Sequence, residues 1–173
     1  EQTKQVIRAF KQGWSGELGI HAHDNMGQAI TNTLQAVKEG VTWVDSTVTG
    51  MGRGPGNAQT EYLILALAEH KPKSNPTQLF ELIRKHFKPL QTQYGWGTNP
   101  YYYLAGKFSI HPTFVQEMMA DNRFIDEDII AVIDQLKIVV FIPFWVIAFD
   151  DLCSLSIVIL RFNFFLLIIC FYF

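Results

Sequence analysis

The chain has 173 residues, 49% hydrophobic and 17% charged, with a net charge of −2 at pH 7. That length and composition fit one globular domain or slightly more. There is no basic excess to suggest nucleic acid and no acidic run to suggest a solvating tail.

Residues 1–12, EQTKQVIRAFKQ, read as a helix with Val6, Ile7 and Phe10 on one face. The chain opens inside this helix on Glu1, with no signal peptide, and is expected to be a fragment lacking an N-terminal part. ELGIHAHD (17–24) reads as a short strand ending in polar residues. MGQAITNTLQAVKEG (26–40) reads as a helix, with Met26, Ile30, Leu34 and Val37 at helical spacing, Asp24 or Asn25 as its cap and Gly40 at its end. VTWVDSTVTG (41–50) is a second strand, β-branched and apolar enough to be covered on both faces. MGRGPGNAQ (51–59) is a glycine-rich loop, and TEYLILALAEH (60–70) is a helix apolar almost all round, hence buried.

A β–α–β–α alternation implies an α/β fold with parallel strands and right-handed crossovers. In such folds the chemistry gathers at the C-terminal ends of the strands. His21, His23, Asp45 and the glycine loop all fall there. His21 and His23, at i and i+2 of a strand, project to one face about 7 Å apart along it, a workable geometry for two ligands of one metal ion. The spacing alone also suits a purely structural pair. Asp45 suits either a partner for a metal-bound histidine or a capped buried carboxylate. Gly54 and Gly56 are expected to permit positive φ or close backbone approach. The loop reads equally as a plain turn or as a run of N–H groups suited to a phosphate or carboxylate.

These residues combine into a longer pattern. H-x-H-D, G-x-A-x-x-N, V-D and G-x-G-x-x-x-G-N-x-x-x-E follow one another through HAHDNMGQAITNTLQAVKEG and WVDSTVTGMGRGPGNAQTE. The pattern resembles the C-terminal half of an HMG-CoA-lyase-like (DRE-TIM) barrel. This metal-dependent aldolase and Claisen-condensing family includes 4-hydroxy-2-oxovalerate aldolase, isopropylmalate synthase and HMG-CoA lyase. The resemblance implies that His21 and His23 ligate a divalent metal (Mn, Mg, Co or Zn), with Asn57 as a further ligand. It also implies a third ligand, an Asp, and a substrate-polarising Arg on a first barrel strand that this chain does not contain. A full barrel needs about 250 residues. The implied fold is therefore the C-terminal fragment of a TIM (β/α)8 barrel over residues 1–72.

Residues 73–137 form a helical set. Asn75-Pro76 and Asn99-Pro100 start helices, KPLQTQYGWGTNP (88–100) reads as a loop, and IDEDIIAVIDQL (125–136) is capped by Asp126. Trp96, Tyr101, Tyr102 and Tyr103 are expected in a core, and His111 at a helix start. The set is similar to the small all-helical domain after the barrel in bacterial 4-hydroxy-2-oxovalerate aldolases. That similarity implies contact with a partner dehydrogenase or a homo-oligomer, and favours an aldolase acting on a small 2-oxo acid. Tyr94 matches a tyrosine placed near substrate in those enzymes, although an aromatic packing the loop explains it too. The alternatives are an acyl-CoA-dependent Claisen enzyme of the isopropylmalate synthase or HMG-CoA lyase type, and a membrane-anchored non-catalytic remnant. The fragment alone is expected to be inactive.

The apolar C-terminal tail, 138–173, is unlike the rest. It holds eight of the fourteen phenylalanines, and its only charged residues are Asp150, Asp151 and Arg161. Membrane insertion needs about 20 apolar residues, which 152–173 offers. Arg161 in mid-span then costs about 3 kcal/mol. Abundant Phe, Ile, Leu, Tyr and Asn are also what AT-rich DNA yields when read out of frame, so the tail is expected to be non-native. Both cysteines, Cys153 and Cys170, lie there, without a disulfide framework or a CxxC site. Their usage fits a reducing, cytoplasmic compartment.

Overall fold

The computed structural model describes residues 1–68 and 76–141. The 72/73 boundary read from sequence lies outside these residues, as does the tail beyond residue 141. Among the described residues, no helix is long and apolar enough to cross a membrane.

The first region contains α1 (Gln2–Gly13), β1 (Gly19–His21), α2 (Ala29–Lys38), β2 (Trp43–Asp45) and α3 (Thr60–Leu67). β1 and β2 pair in parallel, with Gly19 beside Trp43, Ile20 beside Val44 and His21 beside Asp45. Both strands are shorter than the sequence suggests, because the pairing changes partner. Beyond His21, the glycine-rich segment doubles back against β1: Ala58 N–H donates to the Ala22 carbonyl and Asp24 N–H to the Gly56 carbonyl, each at 2.9 Å. Residues 57–59 thus behave as a short irregular strand. His23 and Asn57 form an antiparallel bridge, and Thr47 and Gln59 a parallel one.

α2 begins at Ala29, later than the spacing suggests, with Gln28 rather than Asp24 or Asn25 in the N-cap position. Asp24 still reaches that end, its Oδ1 accepting from the Ala29 N–H at 2.9 Å. The buried face of α2 is Ala29, Thr33 and Ala36 rather than the larger residues the spacing suggested. Those alanines join Ile7, Ile20, Ala22, Val41 and Ala58 in one core, against which Leu18, Ile30 and Val44 pack. Phe10, expected on the packed face of α1, is exposed. Coverage of β2 on both faces is not observed: Trp43 is 66% exposed. α3 is likewise not buried all round, since Tyr62 and Leu65 face outward.

The second region is helical: α4 (Pro76–Leu82), a π-helical turn (Ile83–Phe87), α5 (Lys88–Tyr94), α6 (Pro100–Lys107), α7 (Pro112–Ala120) and α8 (Asp126–Phe141). The loop read over 88–100 is half helix. α5 continues directly from the π-helical turn, with Pro89 just after that turn, and Gly95 ends the helix in the left-handed conformation at φ 71°. α6 starts as expected, with Asn99 Oδ1 accepting from Tyr102 N–H at 2.9 Å. Asp126 is the first helical residue of α8 rather than its cap. Asp128 acts at that end instead, its Oδ2 accepting from Ile125 N–H at 3.0 Å. Tyr102, Ala105, Ile110, Val115, Ile129 and Ile133 form the second core. Trp96 and Tyr102 are buried as expected, whereas Tyr103 is exposed.

Candidate metal centre

His21 and His23 leave β1 on the same side and meet edge to face, with ring centroids 4.8 Å apart and planes at 78°. The register of β1 and β2 sets Asp45 beside His21, and His21 Nδ1 lies 2.8 Å from Asp45 Oδ2. That contact engages one ring nitrogen and orients the ring, as carboxylate partners of ligating histidines do. Both side chains are partly solvated, so the pair orients the ring more than it stabilises the fold. His23 is more enclosed, and it bonds the Gly56 backbone and the Asn57 side chain. Burial, reinforced by the nearby His21, pushes its pKa below the ordinary imidazole value. His23 is therefore neutral at pH 7, the form that binds metals.

Asn57 reaches this place because the glycine loop folds back tightly. Asn57 N–H donates to the Gly50 carbonyl at 3.0 Å, and Asn57 Nδ2 to the Met51 carbonyl at 3.2 Å. Gly54 and Gly56 have φ of +56° and +79°, as the sequence led one to expect. A Cβ on Gly56 would run into the Gly50 carbonyl oxygen. Thr49 also lies in the left-handed region, at φ 56°, which is rare for a β-branched residue. It is held there by Glu61, whose buried carboxylate accepts the Thr49 N–H at 2.9 Å. Glu61 is the final residue of the G-N-x-x-x-E pattern, so that pattern carries a backbone restraint which sequence reasoning had not assigned.

The structure thus brings His21, His23 and Asn57 together. Tyr94 stands apart at the end of α5, 69% exposed, so it does not pack its loop. Among the described residues, no hydrogen bond or ring contact joins it to the histidines. His111 caps α7, its Nδ1 accepting from Thr113 N–H at 3.3 Å. Two imidazoles and a neutral amide suit a divalent first-row metal as part of a donor set. Asn25 Oδ1, two residues beyond His23 in sequence, is buried without a hydrogen-bond partner. No group of three His, Cys, Asp or Glu side chains able to hold a metal occurs among the described residues. The donors fit a metal as a partial shell.

Comparison with known proteins places the sequence pattern. Residues 1–85 match the HMGL-like family model. The 4-hydroxy-2-oxovalerate aldolase of Carboxydothermus hydrogenoformans is 51% identical over 67 residues, 39% of this chain and 20% of that protein. The enzyme of the same name from Brevibacillus brevis is 45% identical over 67 residues, again 39% of this chain and 20% of that protein. The chain therefore spans about a fifth of the length of the curated relatives it matches. The crystal structure of the N-terminal domain of a candidate aldolase from Bacteroides vulgatus superimposes with a TM-score of 0.64 at 30% identity. That match covers 76% of this chain and 43% of the other, more than residues 1–85 could supply, so the likeness extends into the helical region. Residues 1–85, just under half of the chain, are accordingly similar to the HMGL-like family.

Proposed function

We propose that this chain is part of a divalent-metal-dependent aldolase that cleaves or forms a carbon–carbon bond next to a pyruvate enolate, in the 4-hydroxy-2-oxo acid class. Residues 1–72 are then C-terminal strand–helix units of a (β/α)8 barrel, and residues 73–137 a following helical domain. The exposed Trp43, Tyr62 and Leu65 support this reading, since a closed barrel would cover such side chains with neighbouring elements.

The observation that carries the proposal is the edge-to-face pair His21 and His23 at the C-terminal end of β1, with Asp45 on the first ring and Asn57 across from the second. His21, His23 and Asn57 would hold the metal. When bound, it would act as a Lewis acid toward the 2-oxo and carboxylate oxygens of the substrate. Asp45 keeps the His21 ring oriented, and burial keeps His23 neutral. The glycine loop brings backbone N–H groups near the same end of the sheet, where a substrate carboxylate would sit. Tyr94, exposed at the end of α5, belongs to the proposal as a residue near substrate. A small 2-oxo acid, a partner dehydrogenase or second copy at the helical domain, and a cytoplasmic setting belong to the same proposal.

The test begins with Mn²⁺ titrated into the chain and its His21→Ala and His23→Ala variants. Each substitution is expected to abolish binding. Full Mn²⁺ affinity in both variants overturns the reading. The chain is then mixed with the N-terminal part of the Carboxydothermus hydrogenoformans relative. Pyruvate release from 4-hydroxy-2-oxovalerate is expected from the mixture and from neither piece alone.

A further inference from the structure

The two loops that meet at the histidines are tied to the helical region by three consecutive residues. Trp96 Nε1–H donates to the Thr49 carbonyl at 3.0 Å, from a buried indole. Gly97 N–H donates to the Gly54 carbonyl at 2.9 Å. Thr98 Oγ1–H donates to the Asn25 carbonyl at 2.9 Å. Two of these bonds grip the loop that presents Asn57, and the third grips the loop that follows His23. A fourth tie runs the other way: Arg53 Nε donates to Gln116 Oε1 on α7 at 2.9 Å.

The geometry of this segment is specific. Gly97 has φ of +131°, a conformation open to glycine and strained for other residues, and it turns the chain so that residues on either side of it address different loops. The Thr49 carbonyl held by Trp96 belongs to the same strained residue whose N–H is held by Glu61. Thr49 is thus fixed through both its backbone groups, one by the first region and one by the second. Strained backbone persists where its surroundings over-determine it, and here they do.

We infer that Trp96, Gly97 and Thr98 form a positioning bracket that braces, from the helical side, the directly paired segments carrying His23 and Asn57. The inference rests on the metal reading above and deepens it. The bracket residues are not among the candidate ligands; they act through the Thr49, Gly54 and Asn25 carbonyls. Loops that carry ligands are useful only when their relative placement is held to a fraction of an ångström, and supporting hydrogen bonds supply that hold. The bracket also makes the helical region part of the centre, because a shift of α5 or α6 moves both loops together.

The experiment compares the full chain with Trp96→Phe, which keeps the aromatic bulk and removes the N–H. It also uses Thr98→Val, which removes only the exposed hydroxyl, and Thr98→Ser, which restores it. Two readouts are taken: amide hydrogen exchange in segments 22–28 and 48–57 without metal, and Co²⁺ affinity from its visible absorption. Thr98→Val is expected to speed exchange in 22–28 about fivefold, and Trp96→Phe in 48–57 about tenfold. Co²⁺ affinity is expected to fall about three- to tenfold in both, with Thr98→Ser returning to the unsubstituted values. Unchanged exchange in both segments overturns the bracket. So does faster exchange with unchanged Co²⁺ affinity, which would make these bonds structural only. If the unsubstituted chain binds no Co²⁺, the metal reading fails, and the exchange comparison with its Thr98→Ser rescue still decides whether the bracket holds the loops.

Discussion

The two regions achieve burial by opposite means. In the first core, four of seven buried residues are alanines: Ala22, Ala29, Ala36 and Ala58. In the second, one of six is, Ala105, and the rest are isoleucine, valine and tyrosine. Small side chains let backbones approach, so hydrogen bonds between main chains fix the geometry around the histidines. Large side chains interlock instead, and fix the helices by shape. The first region should therefore be damaged most by added atoms and the second by removed ones.

The largest effect is expected from Gly56→Val. The new Cβ meets the Gly50 carbonyl, and φ of +79° disfavours any β-branched residue. Clash and strain together should cost about 3–5 kcal/mol, enough to unfold the first region in thermal melts. A melt close to that of the unsubstituted chain would show that the glycine loop relaxes freely. Removal is tested next by Val115→Ala, since Val115 is 1% exposed and fully packed. A loss of about 2 kcal/mol is expected in denaturant titrations, with Mn²⁺ affinity unchanged. A larger loss of metal affinity than of stability would mean that the second core reaches into the centre directly.

The smallest effect concerns pH and the boundary between the regions. Burial lowers the His111 pKa, and the Arg53 guanidinium lowers it further. The unfolded chain thus takes up a proton at this site before the folded chain does. Stability from the neutral His111 cap is full above the unfolded value of about 6.5 and is lost as pH falls through and below it. His111→Asn keeps a capping side chain without that titration. Its melting temperature should fall less than that of the unsubstituted chain between about pH 7.5 and 5.5. Equal falls would place the pH sensitivity elsewhere.

What the sequence made legible follows the same division. The strand–helix alternation, the Asp24 bond to the start of α2 and the closeness of His21 to His23 carry local signals, and they were readable. The buried face of α2 was not, because alanine contributes little to hydrophobic periodicity while suiting close contact best. α5 was readable only at its end, where Gly95 is a stop signal. Its start carries none, because Phe87 before it is already helical. The Trp96–Thr98 contacts have no local signature, since their partners lie 47, 43 and 73 residues away. Nor could the sequence tell that Glu61 bonds a backbone N–H, because its pattern position was known but its partner was not.

The pairing of His21 with Asp45 across β1 and β2 has a consequence for how this chain can vary in length. A parallel ladder admits only whole-residue steps, and a single step places Val44 or Ser46 beside His21. An apolar neighbour cannot accept a hydrogen bond from the ring, and a serine hydroxyl is shorter than the carboxylate that reaches it here. The stretch from Asp24 to Thr42 therefore acts as a measured spacer between two halves of one polar pair. An inserted or deleted residue there has to be absorbed in the turns around Gly27 or Gly40, whose positive φ values already mark them as the places where the chain changes direction. Within α2 the same change would rotate every later side chain by about 100° and turn the alanine face away from the sheet.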